Sequence, residues 1–199
     1  MQSAEPAPPT RRDARAAATR ARILSRAGRL FYARGLLATG VDAIAAELGI
    51  SKRTLYNHFP SKDALVLAYL EARARPAEDS DSPGLDQILA GFDRLADAVD
   101  RGRFRGCPFV NAVTELGPDH PAAAIARRFK AARRDRLTAL LARAGARTPE
   151  SLGPRIALLF EGAMATALVS GDADGVRAAR QDAQDLIASH MPRASPGAP

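Results

Sequence analysis

The chain has 199 residues, of which 46% are hydrophobic and 26% charged, so it has enough apolar material for one domain or two small ones. The net charge is +7, and the excess lies at one end: residues 1–75 hold 13 basic and 6 acidic side chains, whereas residues 76–199 hold 16 of each. A single cysteine excludes an intrachain disulfide, and one cysteine with three histidines excludes a Cys/His zinc finger. The basic first part indicates either a polyanionic partner such as nucleic acid or a solvated arginine-rich surface.

Both ends of the chain lack helical periodicity. Residues 1–16 are rich in Pro, Ala and Arg, which predicts a disordered basic arm, and residues 192–199 predict a disordered tail. Three arginines of the arm are interpreted either as contacts to a minor groove or phosphates, or as a solvated tail; they are Arg11, Arg12 and Arg15. No apolar signal segment is visible at the N-terminus, and one cysteine suits a reducing compartment, so we expect a cytoplasmic protein.

Apolar residues recur at helical spacing through the first third of the chain. Between residues 17 and 75 they predict four helices, at about 17–34, 41–48, 52–59 and 62–75. Ser51 has the chemistry of an N-cap for the third helix.

A Pro- and Ser-containing loop at 76–84 marks the predicted boundary of a second domain, 76–191. Five further helices are predicted, at about 85–101, 108–116, 121–144, 149–170 and 174–190. The longest apolar run, Ile156 to Val169, is 14 residues and contains Glu161, whereas a membrane span needs about 20 apolar residues. It therefore predicts a buried helix and no membrane segment. No convincing strand pattern is present, so the fold class is all-α with about nine helices.

The most informative segment is the helix-turn-helix pattern at residues 40–59. Two short amphipathic helices meet at a tight turn after Gly49, and the second has Leu55 and Phe59 as its main inward residues. Its other face is polar, with Lys52, Arg53, Thr54, Tyr56, Asn57 and His58. A helix held on one side and polar on the other fits the major groove of B-DNA, and Lys62 at the next helix start is placed to reach a phosphate.

Residues 20–70 resemble the N-terminal domain of TetR-family transcriptional regulators. The matching residues are Phe31, Gly35, Thr39, Val41, Ile44, Ala45, Gly49, Ser51, Thr54, Leu55, Tyr56, His58, Phe59, Lys62 and Leu65. The resemblance implies a three-helix DNA-binding domain with a linker helix at 17–75, followed by a helical ligand-binding and dimerisation domain. It implies no enzyme activity, cofactor or metal.

The resemblance also assigns DNA contacts to positions of this chain. Thr39, Tyr56, His58 and Lys62 resemble phosphate-contacting positions, and the groove-facing residues are Lys52, Arg53, Thr54 and Asn57. Gly40 and Ser51, at the starts of the two short helices, complete the expected DNA-binding set.

Two positions depart from the family pattern. Arg53 stands where glycine is frequent and is interpreted as reading a guanine or gripping another phosphate. Gly40 replaces the usual Ser or Thr cap and supplies no side-chain acceptor.

The second domain offers a candidate effector pocket. Residues 106–115 look like a segment of some TetR-family C-terminal domains, and Cys107, Asn111 and Glu115 are spaced to share one helix face. The predicted apolar walls are Tyr69, Phe92, Phe109, Phe160 and Met164. The alternative is structural: a small buried Cys107, Asn111 as a cap or turn partner and Glu115 as a surface charge. A redox-sensing Cys107 is a third interpretation.

The leading functional hypothesis is a dimeric repressor released from a palindromic operator by an unknown, largely apolar small molecule. The last two helices are the predicted dimer interface, because their apolar faces are broad and rich in alanine. One alternative is a helical small-molecule-binding enzyme or carrier with a vestigial DNA-binding head, which turnover of a pocket ligand would support. Another is a non-specific architectural DNA binder, which a small specificity ratio would support.

Overall fold

A computed structural model of the chain describes residues 10–75 and 84–192, which form nine α-helices and contain no β-strand. The helices are α1 (Arg11–Arg34), α2 (Val41–Leu48), α3 (Lys52–His58), α4 (Lys62–Ala74), α5 (Gly84–Asp100), α6 (Pro108–Leu116), α7 (Pro121–Arg143), α8 (Pro149–Ser170) and α9 (Asp174–His190). The all-α prediction is confirmed. The predicted bounds agree closely with these helices, except at the start of α1.

Helix α1 begins at Arg11, so the disordered arm predicted for residues 1–16 is wrong for residues 11–16. Thr10 caps the helix, since its hydroxyl accepts the Asp13 N–H at 3.2 Å while the Asp13 carboxylate accepts the Thr10 N–H at 3.1 Å. The Thr10 hydroxyl and N–H hold the pKa of Asp13 below its ordinary value, so this carboxylate stays ionised to a lower pH than a free aspartate does. The early start escaped prediction because Ile23 is the first buried residue of α1, and the turns before it carry no hydrophobic signal.

The predicted arm, interdomain loop and tail lie mostly outside the described residues. The parts outside are residues 1–9 of the arm, 76–83 of the loop and 193–199 of the tail.

The chain divides into two compact units. The first is made of residues 1–75 with 112–125, and the second of residues 76–111 with 126–199, each as far as it is described. The single predicted boundary near residue 76 therefore misses the segment 112–125, which joins the first unit.

The first unit has a small core to which α1, α2, α3 and α4 all contribute buried side chains. Phe31 of α1 lies 5.7 Å from Tyr69 of α4 between ring centroids. Gly28 allows this packing, because a Cβ on it would lie 2.9 Å from the Tyr69 ring. Arg26 of α1 pairs with Glu47 of α2 at 2.5 Å, so ion pairing also connects these two helices.

The second unit is built around α5, α8 and α9. Phe92 of α5 and Phe160 of α8 meet edge to face with ring centroids 5.0 Å apart in its core. Asp93 and Asp100 of α5 pair with Arg180 and Arg177 of α9, each at 2.6 Å. These contacts fix α5 against the last helix.

Among the described residues, α8 is the one helix long and apolar enough to cross a membrane, by length and composition alone. It spans 22 residues, more than the apolar run seen in the sequence. Leu152, Ile156 and Phe160 lie in the core of the second unit, and Glu161 pairs with Lys130 of α7. Burial in the core accounts for part of the apolar character of α8, whereas Leu158, Leu168 and Val169 of the same helix are exposed.

Candidate nucleic-acid interface

The turn between α2 and α3 is set by one glycine and one serine. Gly49 has φ of +63°, a left-handed conformation that favours glycine, and the Ile50 N–H donates to Ala45 O at 3.0 Å. Ser51 then caps α3, with its hydroxyl accepting the Thr54 N–H at 3.0 Å. The chain thereby passes from α2 to α3 through three residues, and α3 starts at a fixed place.

Helix α3 is held by its inner face alone. Leu55 is 0% exposed, and Phe59, which ends the helix, is 1% exposed. The Arg20 guanidinium of α1 lies 4.5 Å from the centroid of the Phe59 ring, so α1 covers the end of α3. The inward residues predicted from the sequence are confirmed.

The outer face of α3 is open to solvent. Lys52, Arg53, Tyr56 and Asn57 are exposed, with Thr54 and His58 half-buried beside them. Within the described residues, Arg53, Tyr56 and Asn57 have no hydrogen-bonding or ionic partner. These three side chains are available to an external ligand without the loss of a hydrogen bond or ion pair within the described residues.

The lysines before and after the exposed face of α3, at the starts of α3 and α4, have local partners. Lys52 pairs with Asp42 of α2 at 2.6 Å, and both side chains are largely exposed. Lys62, at the start of α4, donates to the carbonyl of Leu37 at 3.2 Å. Both contacts are at the surface, where such bonds are weak and exchange readily with other partners.

Thr39 corrects the sequence prediction. Its side chain is 1% exposed, and its hydroxyl donates to Gly35 O at 2.7 Å, so it is unable to contact a phosphate. Thr39 instead ties the segment between α1 and α2 to the end of α1. Gly40 agrees with the sequence interpretation, because α2 has no side-chain cap there and the space around a Cβ would be empty.

Glu115 is a second correction. It was predicted as a pocket group, but its carboxylate accepts the Leu37 N–H at 2.8 Å within the first unit. A Cβ at Gly35, which has φ of +95°, would lie 3.2 Å from the same carboxylate. Glu115 therefore holds the segment between α1 and α2 in place, a contact across 78 positions that no local sequence signal indicates.

Tyr69, predicted as a pocket wall, also belongs to the first unit. It lines a shallow groove of about 430 Å³ between α1 and α4, together with Gly28 and Arg73. Tyr69 and Glu115 therefore lie in the first unit, whereas the other predicted pocket residues lie in the second.

The other predicted pocket residues lie in the second unit. Phe92, Phe160 and Met164 share its core, while Cys107 and Phe109 are buried and Phe109 stacks on Phe129 at 3.9 Å. The Asn111 amide donates to Arg105 O at 2.8 Å, as expected for a turn partner.

The sequence did not indicate Arg133 of α7. Its guanidinium lies 3.8 Å from the centroid of the Phe160 ring. Burial lowers the pKa of Arg133, and the Glu161 carboxylate partly offsets this effect. A cation therefore lies against the aromatic core of the second unit.

No group of three or more His, Cys, Asp or Glu side chains suited to a metal ion occurs in the described residues.

Comparison with known proteins is consistent with this geometry. Residues 23–69 match the family model for bacterial regulatory proteins of the tetR family. SCO4454, a TetR-family transcriptional regulator from Streptomyces coelicolor, is 31% identical, with a TM-score of 0.76 over 88% of this chain and 97% of that one.

Two sequence relatives are also similar. The HTH-type transcriptional regulator YjdC of Escherichia coli is 25% identical over 174 residues, which are 83% of this chain and 91% of YjdC. The HTH-type transcriptional repressor KstR2 of Mycobacterium tuberculosis is 35% identical over 88 residues, 41% of this chain and 44% of KstR2.

Proposed function

The chain belongs to the TetR family of DNA-binding transcriptional regulators, and from this we propose that it is a dimeric repressor released from its operator by a small molecule. KstR2, to which it is similar over 88 residues, is a transcriptional repressor, which favours repression here as well. The family acts on DNA, and we propose the cytoplasm as the compartment.

One observation carries the proposal: Arg53, Tyr56 and Asn57, on the solvent-facing side of α3, have no hydrogen-bonding or ionic partner among the described residues. Arg53 and Asn57 are one turn apart on that face and exposed. Guanidinium and amide groups pair bidentately with guanine and adenine edges, respectively, in the major groove. Lys52 and Thr54, at the start of α3, complete the proposed groove-facing set.

Phosphate contacts are proposed around this reading face. Tyr56, His58 and Lys62 are candidates, and Lys62 would exchange its bond to Leu37 O for a phosphate oxygen. Gly40 and Ser51 would contribute backbone N–H groups at the starts of α2 and α3.

Dimerisation is proposed through α8 and α9, since α8 carries an exposed apolar stripe. Leu158, Leu168 and Val169 are 71%, 52% and 89% exposed, and Gly162 lies between them on α8. Single subunits rarely leave such a stripe in water. A two-fold dimer would present two α3 helices to successive major grooves, about 34 Å apart.

The effector is proposed to bind in the second unit. Phe92, Phe160 and Met164 support this because they share its apolar core, and Cys107 and Phe109 are buried in the same unit. For release, the effector must bind the DNA-free arrangement more tightly than the DNA-bound one.

Selection of binding sites from random duplexes tests the proposal. We expect a palindrome whose half-sites are centred about one helical turn apart. In anisotropy titrations, the selected duplex should bind at least about a thousandfold tighter than a shuffled one. Equal affinity for both would contradict a sequence-specific regulator and favour an architectural DNA binder.

A further inference from the structure

Arg133 of α7 is a half-buried cation of the second unit that lacks hydrogen-bond acceptors. Its guanidinium lies 3.8 Å from the centroid of the Phe160 ring of α8. It makes no hydrogen bond or ion pair in the part of the chain that the structure describes. A guanidinium has five N–H donors and stays protonated, so burying one without acceptors is costly. A ligand with acceptor oxygens would offset this cost.

The side chains around Arg133 add positive charge. Lys130, one turn earlier on α7, bonds to the Glu161 carboxylate of α8. Burial lowers the pKa of Arg133, and the nearby positive charge of Arg94 on α5 lowers it further. Three cations and one carboxylate therefore form what we call the Arg133 cluster: Arg94, Lys130, Arg133 and Glu161. Since Lys130 already bonds to the carboxylate and Arg94 is exposed to water, the buried part of the cluster has one uncompensated positive charge.

The Arg133 cluster borders apolar side chains. The Phe160 ring meets the Phe92 ring edge to face, with centroids 5.0 Å apart, and Met164 packs against the same core. A Cβ on Gly91 would lie 3.7 Å from the Phe160 ring and 4.0 Å from the Arg94 guanidinium, so a carbon-sized group fits beside both. Ligand sites commonly combine an apolar wall with a few polar groups in this way.

We propose that the Arg133 cluster binds the carboxylate of a small effector whose apolar body lies against Phe92 and Phe160. The inference rests on the proposed function, because it names the chemical class of the molecule that releases the DNA. A guanidinium pairs bidentately with a carboxylate, and these charge-assisted hydrogen bonds are strong in a site with little water. One negative charge also matches the one uncompensated cation.

The first test measures binding to the full-length protein without DNA, by isothermal titration calorimetry. The probes are phenylacetate, 3-phenylpropionate and octanoate, and their primary amides are the uncharged controls of the same shape. We expect at least one carboxylate to bind with a Kd below about 1 mM, and its amide to bind at least about tenfold more weakly. The proposal is overturned if no carboxylate binds more tightly than its amide, or if phenyl phosphate binds more tightly than all three carboxylates.

Variants of α7 locate the binding site. Arg133→Gln should weaken carboxylate binding at least about tenfold, whereas Arg134→Gln removes the same charge from the exposed neighbouring position and should have no effect. Arg133→Lys keeps the charge but loses the bidentate geometry, so its affinity should be intermediate. Wild-type affinity in Arg133→Gln would contradict the site. So would a wild-type dimer that Arg133→Gln dissociates, because Arg133 would then pair across the interface.

A stability measurement separates ligand binding from a structural role. Arg133→Met keeps an unbranched side chain and removes the uncompensated charge, so the Tm of the ligand-free protein should stay the same or rise. A lower Tm together with unchanged carboxylate affinity would make Arg133 a structural residue and overturn the proposal.

Release of DNA separates this inference from the proposed function. At a saturating concentration, the tightest carboxylate should release the selected duplex from the wild type in anisotropy, and Arg133→Gln should retain the duplex at the same concentration. A protein that binds its selected duplex but no carboxylate would overturn this inference alone. A protein that binds a carboxylate and still retains the duplex would instead overturn the proposed release.

Discussion

At the scale of single residues, we propose that Arg53 reads the DNA sequence and that Lys62 adds affinity for any sequence. Arg53 is exposed and without a partner in the described residues, whereas Lys62 lies at a helix start beside Leu37 O. We expect Arg53→Ala to relax the preference at one base position by about 1–3 kcal/mol, measured by competition between single-base variants of the selected site.

Lys62→Ala is the matched comparison, since it also removes one cation next to α3. It should weaken binding to all sequences alike and reduce the salt slope by about one. An equal loss on every sequence for Arg53→Ala would make Arg53 another phosphate contact and refute the base-reading role.

Glu115 gives a second prediction at this scale. Its carboxylate accepts the Leu37 N–H at 2.8 Å, so Glu115→Ala should destabilise the first unit by about 1 kcal/mol and weaken DNA binding a few-fold. Glu115→Gln keeps an acceptor oxygen and should recover part of both losses. Thermal unfolding measures the loss of stability, and anisotropy measures the loss of DNA affinity. A Glu115→Ala variant with wild-type DNA affinity would show that this contact does not position the α1–α2 segment.

Thr39 and Glu115 also show what the sequence could not predict. Leu55, Phe59 and the polar residues of α3 follow from helical spacing, which a single sequence contains. Thr39 matched a family position, yet its hydroxyl turns inward to Gly35 O. Glu115 acts through a contact 78 positions away, and such contacts depend on tertiary packing.

At the scale of elements, the packing of α8 on α7 depends on a glycine. A Cβ at Gly153 would lie 3.0 Å from the backbone N of Thr138, and backbone cannot move aside cheaply. We expect Gly153→Ala to destabilise the second unit by about 2 kcal/mol in denaturant unfolding.

Gly91 of α5 is the control for this substitution. A Cβ there would have only ordinary contacts, 3.7 Å from Phe160 and 4.0 Å from Arg94. Gly91→Ala should therefore leave stability unchanged or raise it by up to about 1 kcal/mol. Similar effects for both substitutions would refute the close approach at Gly153.

Helix positions were the most predictable level of this fold. Two serines cap helix starts and two glycines end helices, and these residue types are recognisable in a sequence. They are Ser51 and Ser61, and Gly49 and Gly171. The start of α1 was missed because its first turns bury nothing. The grouping of residues 112–125 with the first unit was missed because no composition change marks it.

At the scale of the whole molecule, function is predicted to require two copies. Leu158→Arg/Val169→Arg places two charges on the exposed stripe of α8, so we expect a dimer to dissociate into subunits of 21.1 kDa. Affinity for a palindromic site should fall by about a hundredfold or more, because the two half-sites would no longer be bound together.

Ala139→Arg is the control, since it adds charge at an exposed position of the second unit that is not on α8 or α9. Light scattering gives the mass, and circular dichroism checks that the helices remain. A dimer that survives the double substitution would place the interface elsewhere.

The pair between Lys52 and Asp42 has a consequence for selectivity. The Asp42 carboxylate, 2.6 Å from the Lys52 ammonium group, offsets part of its positive charge, so Lys52 attracts the phosphates of DNA of any sequence less strongly. Asp42→Asn would release that restraint, so random duplexes should gain affinity relative to the preferred site. Asp42 would thus lower the affinity for DNA in general and raise the specificity for the preferred site.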